Sequence, residues 1–410
     1  MTPRRGSGRQ ATGSPLRNIG SLLLVFVVAT LLYLYEQGTF DPWLQLDPAA
    51  QDAGGGEQVT TAPAAPLTEP QAPQAVETSS LAGFAQGPVQ VYFTRIRYPD
   101  RAAERAGGLD ATIAADIDRA RQSVDLAVFD LDLPAVGTAL KNAQARGVRV
   151  RAVIDDENLE TPEVAEMTGE LQDAGIPITF DRRQAFMHNK FLVIDGAVVW
   201  TGSWNPTIND TFRNNNNFVR LADPRIAADY TAKFELLFAG RGGPGNRAAL
   251  PHPVVDLDGF RVQVAFSPDS KITDEVAEVI AGARHSVEFL AFAFTSDPIA
   301  EAVIAAHERG VRVRGVMESR NAHGTGAEFD RLRSAGVVVL EDGNCYVMHH
   351  KVFIIDGRHV VTGSFNWSAQ AQSSNDENVI MVDNAWFAQR YQDEFERIYD
   401  QARMPTRCGG

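Results

Sequence analysis

The sequence has little cysteine and too few basic residues to balance its acidic ones. Only Cys345 and Cys408 occur among 410 residues, so no disulfide framework is needed, and we expect both cysteines to be unpaired. Lysine and arginine number 38 against 52 aspartates and glutamates, which makes the net charge −14. This deficit argues against tight, sequence-independent binding of nucleic acid, although it leaves room for a local basic cleft. Because 44% of the residues are hydrophobic, a largely disordered chain is excluded.

Long hydrophobic runs are also scarce, and the one that stands out lies near the N-terminus. It extends from Ile19 to Tyr35, which is 35 − 19 + 1 = 17 residues, and no lysine or arginine follows it until Arg95. Seventeen residues are close to the lower limit for a membrane-spanning helix. The positive-inside rule then predicts a single-pass anchor in the cell membrane, with a cytoplasmic N-terminus and the remainder outside the cytoplasm. Cleavage of the run as a signal peptide, which would give a secreted protein, is the alternative.

The remainder of the chain contains an internal duplication. The segment Ser123–Phe129 recurs in similar form at Ser286–Phe292, and the segment Arg146–Arg151 recurs unchanged at Arg309–Arg314, both 163 positions later. So long a period fits two homologous domains rather than a solenoid. Composition and repetition together predict six segments: a basic tail 1–18, an anchor 19–35, a disordered linker 36–86, homologous units 87–245 and 246–403, and a tail 404–410.

Each unit alternates short apolar strands with amphipathic helices. Strands are predicted at Val148–Asp155 and Val311–Met317, and Pro134 and Pro162 are typical of first helical positions. Alternating strands and helices favour a mostly parallel sheet covered by helices on both faces. The fold class is therefore α/β, with two units of α/β/α layering and mostly parallel mixed sheets.

Both units carry the same polar motif, H-x-K-x4-D-x6-G-S-x-N, with identical spacing. The members in the two units are His188, Lys190, Asp195, Ser203 and Asn205, and then His349, Lys351, Asp356, Ser364 and Asn366. Strand alternation places the histidine and the lysine of each copy on one face. A hairpin after the aspartate would return the Gly-Ser-x-Asn segment beside the histidine.

Two imidazoles, two ammonium groups and two hydroxyl–amide pairs suit phosphoryl transfer through a covalent intermediate. One imidazole can attack phosphorus while the other protonates the departing oxygen, and the lysines and asparagines can neutralise the non-bridging oxygens. No cofactor or metal is then required. Cys345, His349 and His350 lack a fourth ligand at recognisable spacing, which argues against zinc.

The paired motif closely resembles the signature of the phospholipase D superfamily. This resemblance implies two units packed about a pseudo-twofold, a site formed within one chain without an obligate protein partner, and a phosphohistidine intermediate. It assigns catalysis to His188 and His349, and phosphate binding to Lys190, Lys351, Asn205 and Asn366. Ser203, Ser364, Asp195 and Asp356 receive supporting roles, and the two serine hydroxyls are also expected to donate to the phosphate oxygens. A turn-forming structural role for the two aspartates is at least as well founded.

The two copies differ after the motif, where Glu377 in the second unit corresponds to Asn216 in the first. In single-motif bacterial members of the superfamily, an acid at the place of Glu377 bonds the catalytic histidine. We therefore expect Glu377 to assist His349 and Asn216 to orient His188, which would make the two histidines differ in basicity. Which histidine is the nucleophile stays open, because two-motif members usually use the N-terminal one. We expect Asn214 and Asn215, just before this position, to form a polar loop.

Three activities are compatible with this site. The first is hydrolysis of phospholipid headgroups at a membrane surface, giving phosphatidic acid. The second is cleavage of DNA or RNA by the same residues, and the third is transphosphatidylation of the cardiolipin synthase type. A binding module that had lost catalysis would lack a histidine or lysine, and neither copy does.

Overall fold

The computed structural model describes residues 76–405 and 408. The predicted basic tail, the predicted anchor 19–35 and the predicted linker as far as residue 75 lie outside the described residues. Within the described part of the chain, no helix combines the length and the apolar character needed to cross a membrane.

The first half is built on a sheet of nine strands. Its strands are β1 Val76–Glu77, β2 Leu81–Gln86, β3 Val89–Thr94, β4 Ser123–Val128, β5 Arg149–Asp155, β6 Ile178–Asp181, β7 Lys190–Ile194, β8 Val198–Gly202 and β10 Asn217–Leu221. Their order is β1-β2-β3-β10-β8-β7-β4-β5-β6. The strands β7 and β4, which are buried along most of their length, lie inside the sheet, where their apolar side chains contact helices on both faces.

The second half repeats this arrangement in a sheet of eight strands. Its strands are β11 Val254–Leu257, β12 Phe260–Ser267, β13 Ser286–Ala291, β14 Arg312–Met317, β15 Val338–Glu341, β17 Lys351–Ile355, β18 His359–Gly363 and β19 Glu377–Asp383. Their order is β11-β12-β19-β18-β17-β13-β14-β15.

Helices cover both faces of each sheet, as the α/β/α prediction requires. They are α1 Leu109–Arg119, α2 Pro134–Ala145, α3 Pro162–Asp173, α4 Ile208–Phe212, α5 Pro224–Phe238, α6 Ile272–Ala281, α7 Asp297–Glu308, α8 Phe329–Ser334, α9 Ala369–Ser373 and α10 Ala385–Arg403, with a 3-10 helix at Ala102–Glu104. The buried apolar side chains of α5 and α10 join one core cluster with side chains of both sheets. These two helices therefore lie between the halves, and a separate apolar cluster fills the outer side of each half.

The sheets are mixed, as expected, but the prediction that they are mostly parallel was wrong. Only β4, β5 and β6 in the first sheet, and β13, β14 and β15 in the second, pair in parallel. All other neighbours within the two sheets are antiparallel, because hairpins such as β7–β8 and β17–β18 supply much of each sheet. The motif strands thus belong to the antiparallel portion.

The predicted linker ends earlier than expected. Strand β2 falls inside the range 36–86, yet it pairs antiparallel with β3 and buries Leu81. Its apolar residues Leu81, Ala82 and Phe84 directly follow a stretch rich in Ala, Pro and Gln. Composition alone therefore placed the start of the folded domain too late.

The two halves are joined by equivalent segments that exchange contacts. Strand β9 (Asn214–Asn215), expected to be a loop, pairs in parallel with β16 (Val347–Met348). The matching bridge joins Met187 to Asp376. Equivalent positions in the two halves are 161 residues apart, since 348 − 187 = 161 and 376 − 215 = 161. The two pairs, Asn215 with Met348 and Met187 with Asp376, are therefore equivalent contacts with the halves exchanged, as a twofold relation requires.

The expectation of two unpaired cysteines was also wrong. Cys345 and Cys408 form a disulfide with Cα atoms 5.5 Å apart across 63 residues of sequence. The last turn of α10 and Pro405 lie against the loop that holds Cys345, where Gly343 is close to the backbone of Gln401 and Pro405. Sequence spacing carries no sign of this approach, because it depends on where α10 ends.

Candidate active site

The two motif histidines lie just before β7 and β17, at the junction of the halves. His188 and His349 are 8% and 9% exposed, and Lys190 and Lys351 are fully buried. Each lysine Nζ donates a 2.8 Å hydrogen bond to the backbone oxygen of its own histidine. Strand alternation therefore presents imidazole and ammonium groups together from both halves, as the motif spacing predicted.

Two phenylalanines that the motif analysis passed over complete these surroundings. The rings of Phe129 and Phe292 have their centroids 5.2 Å and 4.8 Å from those of His188 and His349. They also lie 5.3 Å and 4.6 Å from the Nζ atoms of Lys190 and Lys351, close enough for cation–π attraction. Both end the duplicated segments Ser123–Phe129 and Ser286–Phe292, and that repetition was the available signal.

The support of each histidine comes from the opposite half, which corrects the expected pairing within each unit. Nδ1 of His188 lies 2.7 Å from Oε2 of Glu377, and Nδ1 of His349 lies 2.9 Å from Oδ1 of Asn216. The twofold exchange of segments causes this, because the bridge at Asp376 carries the neighbouring Glu377 to His188. The prediction of chemically different support holds, but the histidines are interchanged.

Hydrogen bonds around these supports define which ring nitrogen carries the proton. Oδ1 of Asn216 accepts a 2.8 Å hydrogen bond from Ser203, and its Nδ2 donates to the backbone oxygen of Asp210 at 3.1 Å. The oxygen of this amide therefore faces His349 as an acceptor, so Nδ1 of that ring is the donor. By the same reasoning, Nδ1 of His188 donates to the Glu377 carboxylate. Nε2 of each ring is then the nitrogen that is left to react with a substrate.

The serines of the motif hold these supports in place. Ser364 donates to Oε2 of Glu377 at 2.7 Å, as Ser203 does to Asn216. Each hydroxyl in turn accepts a backbone hydrogen bond, from Asn378 N at 3.0 Å and from Asn217 N at 3.1 Å. In this structure the two hydroxyls orient the histidine partners, and their contact with the phosphate stays a prediction.

The motif asparagines differ in their surroundings. Asn205 donates from both its backbone N and its Nδ2 to Asp210, each at 2.8 Å. The buried side-chain oxygens of Asn205 and Asn366 have no hydrogen-bond partner among the described residues. Both amides lie in the returning Gly-Ser-x-Asn segments after β8 and β18, the position that the hairpin prediction gave them.

Burial and like charges act on the ionisation of this cluster. Burial, then the charges of Lys190 and Lys351, hold the pKa of His188 well below its usual value, while the Ser364 carbonyl opposes this. Burial and Lys351 likewise hold the pKa of His349 well below its usual value. Burial lowers the pKa of Lys190 to about 8 and raises the pKa of Glu377 to about 7. An anionic ligand between the lysines would relieve these costs, so the site is suited to a phosphodiester.

The structure does not bring Asp195 and Asp356 to the histidines. Each lies just after its motif strand, five residues beyond the lysine, a separation of roughly 16 Å in a strand. The Asp195 carboxylate accepts hydrogen bonds from the backbone N atoms of three consecutive residues that lead into β4, Arg121, Gln122 and Ser123. Asp356 binds Arg284, His285 and Ser286 in the same way. Both aspartates have φ of 53°, and we assign them a structural role.

Replacement of Asp195 should therefore affect stability more than activity. We expect Asp195→Ala to lower the free energy of unfolding by about 1–2 kcal/mol, because three backbone donors lose their acceptor. Its kcat/KM, corrected for the folded fraction, should stay within about twofold of the parent, since the carboxylate is remote from the reacting groups. Urea unfolding and phosphodiesterase assays measure the two effects, and Asp195→Asn, which retains an acceptor oxygen and tolerates positive φ, is the matched control. A hundredfold loss of activity in a folded Asp195→Ala protein would contradict this role.

Family comparison agrees with this geometry. The model described as "Cardiolipin synthase, PLD-like domain" matches residues 113–238 and 276–399, more than half of the 410 residues and one match in each half. The chain belongs to the phospholipase D superfamily. Members of the superfamily that resemble this chain are named cardiolipin hydrolase and phospholipase D.

Individual members of the superfamily resemble parts of the chain. The mitochondrial cardiolipin hydrolase of Chlamydomonas reinhardtii is 36% identical over 197 residues, which cover 42% of this chain and 88% of that protein. The enzyme of the same name from Xenopus laevis is 40% identical over 122 residues, 30% of this chain and 58% of that protein. The structure of phosphatidylserine synthase from Haemophilus influenzae matches with a TM-score of 0.55 at 13% identity, over 72% of this chain and 85% of that one. That last likeness concerns the fold alone.

These findings overturn the expected localisation. The sequence analysis placed the chain in the cell membrane as a single-pass protein, with secretion as the alternative. The described residues contain no helix able to span a membrane, and the relatives are named mitochondrial cardiolipin hydrolases. The hydrophobic run 19–35, on which the expectation rested, lies outside the described residues.

Proposed function

We propose that this protein hydrolyses the headgroup phosphodiester of phospholipids, releasing phosphatidic acid, through a phosphohistidine on His188. His349 acts first as general acid and then as general base. The observation that carries the proposal is the unequal support of the two histidines. A carboxylate binds the ring of His188, whereas an amide binds the ring of His349, beside two buried lysines.

The unequal support assigns the two roles. A phosphorylated imidazole that retains its Nδ1 proton is cationic, and the Glu377 carboxylate, 2.7 Å from Nδ1 of His188, compensates that charge directly. The same contact makes Nε2 of His188 a better nucleophile by drawing the Nδ1 proton away from the ring. Asn216 can orient His349 but offers no negative charge, which suits a group that must release its proton.

The reaction proceeds in two displacements at phosphorus. Nε2 of His188 forms a bond to phosphorus as the bond to the headgroup oxygen breaks, and that oxygen takes the proton from Nε2 of His349. His349, now neutral, removes a proton from water. The resulting hydroxide attacks phosphorus, the N–P bond breaks, phosphatidic acid leaves and His188 is restored.

The lysines bind the phosphodiester throughout. Their Nζ atoms approach from the two halves, and each is already held by a histidine carbonyl at 2.8 Å. Charge that builds on the non-bridging oxygens in each transition state is thus met by fixed ammonium groups in a water-poor site. We assign Asn205 and Asn366 to the same oxygens, since their amides lie in the segments that return beside the histidines.

Charge and similarity support a lipid substrate. The net charge of −14 works against a polyanionic strand, whose binding depends on counterion release to basic surfaces. The phenyl rings of Phe129 and Phe292 contact the catalytic rings on both sides and add apolar area beside the phosphate site. The similar proteins from Chlamydomonas and Xenopus are named for cardiolipin hydrolysis.

A substrate assay with matched variants tests the proposal. We expect the full chain, in EDTA, to release phosphatidic acid from vesicles of phosphatidylglycerol and cardiolipin, and both His188→Ala and His349→Ala to lose this activity. His359→Ala serves as the control, because that side chain is 44% exposed on β18. Cleavage of single-stranded DNA without lipid hydrolysis would transfer the same mechanism to nucleic acid, and transfer of the phosphatidyl group to added glycerol in preference to water would indicate a transphosphatidylase.

A further inference from the structure

One buried carboxylate beside the catalytic pair has no counterpart in the other half. Asp210 lies on α4 and is 4% exposed. Its equivalent in the second half is Ala371, since 210 + 161 = 371. Beside the catalytic histidines, two equivalent positions therefore carry different residues in the two halves. The first half has Asp210 with Asn216, and the second has Ala371 with Glu377.

The Asp210 carboxylate faces His349 across a short gap. Its Oδ2 lies 3.7 Å from Nδ1 of His349, and the Asn216 side chain that accepts the proton of that ring also bonds the Asp210 backbone. Asn205 donates twice to Oδ2 at 2.8 Å, and Asn214 donates to Oδ1 at 2.7 Å. These bonds hold the carboxylate beside the ring and leave its charge without a lysine or arginine of its own among the described ion pairs.

We propose that Asp210 is a positioning residue that keeps the proton on His349, and that Asn216 and Asp210 together replace the single carboxylate that Glu377 supplies to His188. This inference rests on the proposed function, in which His349 is the general acid. In the second half, one side chain both orients the ring and supplies charge. In the first half, the amide orients the ring by accepting its Nδ1 proton, and the carboxylate 3.7 Å away supplies the charge.

The ionisation of the cluster agrees with this division. Burial opposes the ionised form of Asp210, but the charge of His349 and hydrogen bonds from Asn214 and Asn205 outweigh it and lower the pKa of that carboxyl below its usual value. The charged and titratable groups that act on His349 are Lys351 at the start of β17, Lys190 and His188 from the first half, and Asp210 on α4. Of these, only Asp210 favours the protonated ring. Without it, three groups that disfavour a cation would remain.

The sign of the pH effect follows. A general acid works only while protonated, so kcat/KM falls as pH rises through the pKa of His349. Because a nearby negative charge raises that pKa, Asp210→Asn should move this alkaline limb to lower pH by about one unit. The fall in kcat/KM should be largest for substrates whose leaving group requires a proton.

The experiment compares two phosphatidyl esters in the full-length protein. The leaving group of phosphatidylethanol is an alkoxide unless it is protonated, whereas the leaving group of phosphatidyl-p-nitrophenol is a stable phenolate. For Asp210→Asn we expect kcat/KM on the ethyl ester to fall at least about tenfold at the parent's pH optimum, with less than about a threefold fall on the aryl ester. Both the ratio of the two esters and the midpoint of the limb are independent of the folded fraction, so partial unfolding cannot imitate the result.

Asp132→Asn is the matched control. Asp132 lies just before α2 and accepts a hydrogen bond from the backbone N of Ile208 at the start of α4, so the change removes one charge beside α4 and leaves the contacts of His349 unchanged. We expect its ester ratio and alkaline limb to follow the parent. Equal losses on both esters with an unmoved limb in Asp210→Asn would overturn the inference and leave the proposed function intact. Absence of activity on both esters in the unsubstituted protein would instead remove the proposed function.

Discussion

His188→Ala should abolish phospholipid hydrolysis, with kcat/KM reduced on the order of 10⁴-fold or more, as is seen when an enzyme loses its covalent nucleophile. The loss should be the same for esters with good and with poor leaving groups, because no other group can form the bond to phosphorus. Glu377 and Ser364, which orient the ring, would remain in place. The alanine side chain leaves space for water but has no nitrogen that could form the covalent bond to phosphorus.

His349→Ala should behave differently with phosphatidyl-p-nitrophenol. The phenolate needs no proton, so His188 can still attack and release about one equivalent of p-nitrophenolate in a rapid burst. Hydrolysis of the phosphohistidine then lacks its general base, so steady turnover should be about 10²–10⁴-fold slower.

Stopped-flow absorbance measures the burst, and mass spectrometry of a rapidly quenched digest locates the phosphatidyl group. We expect it on the peptide that contains His188. A burst from His188→Ala, or an adduct on His349, would reverse the assignment of the two histidines. The exposed His359 again supplies the control variant.

Asp376→Ala should cause the largest loss of stability, about 3–5 kcal/mol in the free energy of unfolding. The Asp376 carboxylate is fully buried and accepts hydrogen bonds from Lys233 at 2.9 Å, from the backbone N of Gly243 at 2.8 Å, and from Arg183. Lys233 is also fully buried. Removal of the acid leaves the buried Lys233 ammonium with Asp269 alone, at 3.3 Å. The loss of the nearer counter-charge accounts for most of the expected cost.

Asn215→Ala is the matched control, because residue 215 occupies the equivalent position in the first half. Its side chain accepts a neutral hydrogen bond from Asn344 at 2.7 Å, so we expect a loss of only about 1 kcal/mol. Both variants retain the backbone bonds that link the halves, from His188 N to Asp376 O and from His349 N to Asn215 O. Urea denaturation with unchanged m-values measures the difference, and equal losses would mean that the buried charge contributes little.

Much of the local structure was predictable from sequence periodicity. The helix starts at Pro134 and Pro162 and the strands β5 and β14 are confirmed. The motif hairpins form as expected, with β7 and β8 antiparallel. These features depend on residues near one another in the chain, where alternation, proline and glycine act directly.

The predictions that were wrong concern residues that are far apart in the sequence and come together only in the fold. His188 and Glu377 are 189 residues apart, and only the exchange of segments between the halves brings them together. Symmetry of the motifs predicted a shared site but not which support would reach which histidine. Asp210 gave no signal, because repetition reveals residues that occur twice and this carboxylate occurs once.

The reciprocal support of the histidines constrains how the gene for this protein can change. A recombination that replaced the first half by a copy of the second would put a glutamate beside both histidines and leave no equivalent of Asp210. The opposite replacement would put an amide beside both. Either event would remove the difference between the two supports on which the proposed roles depend, so neither half can replace the other.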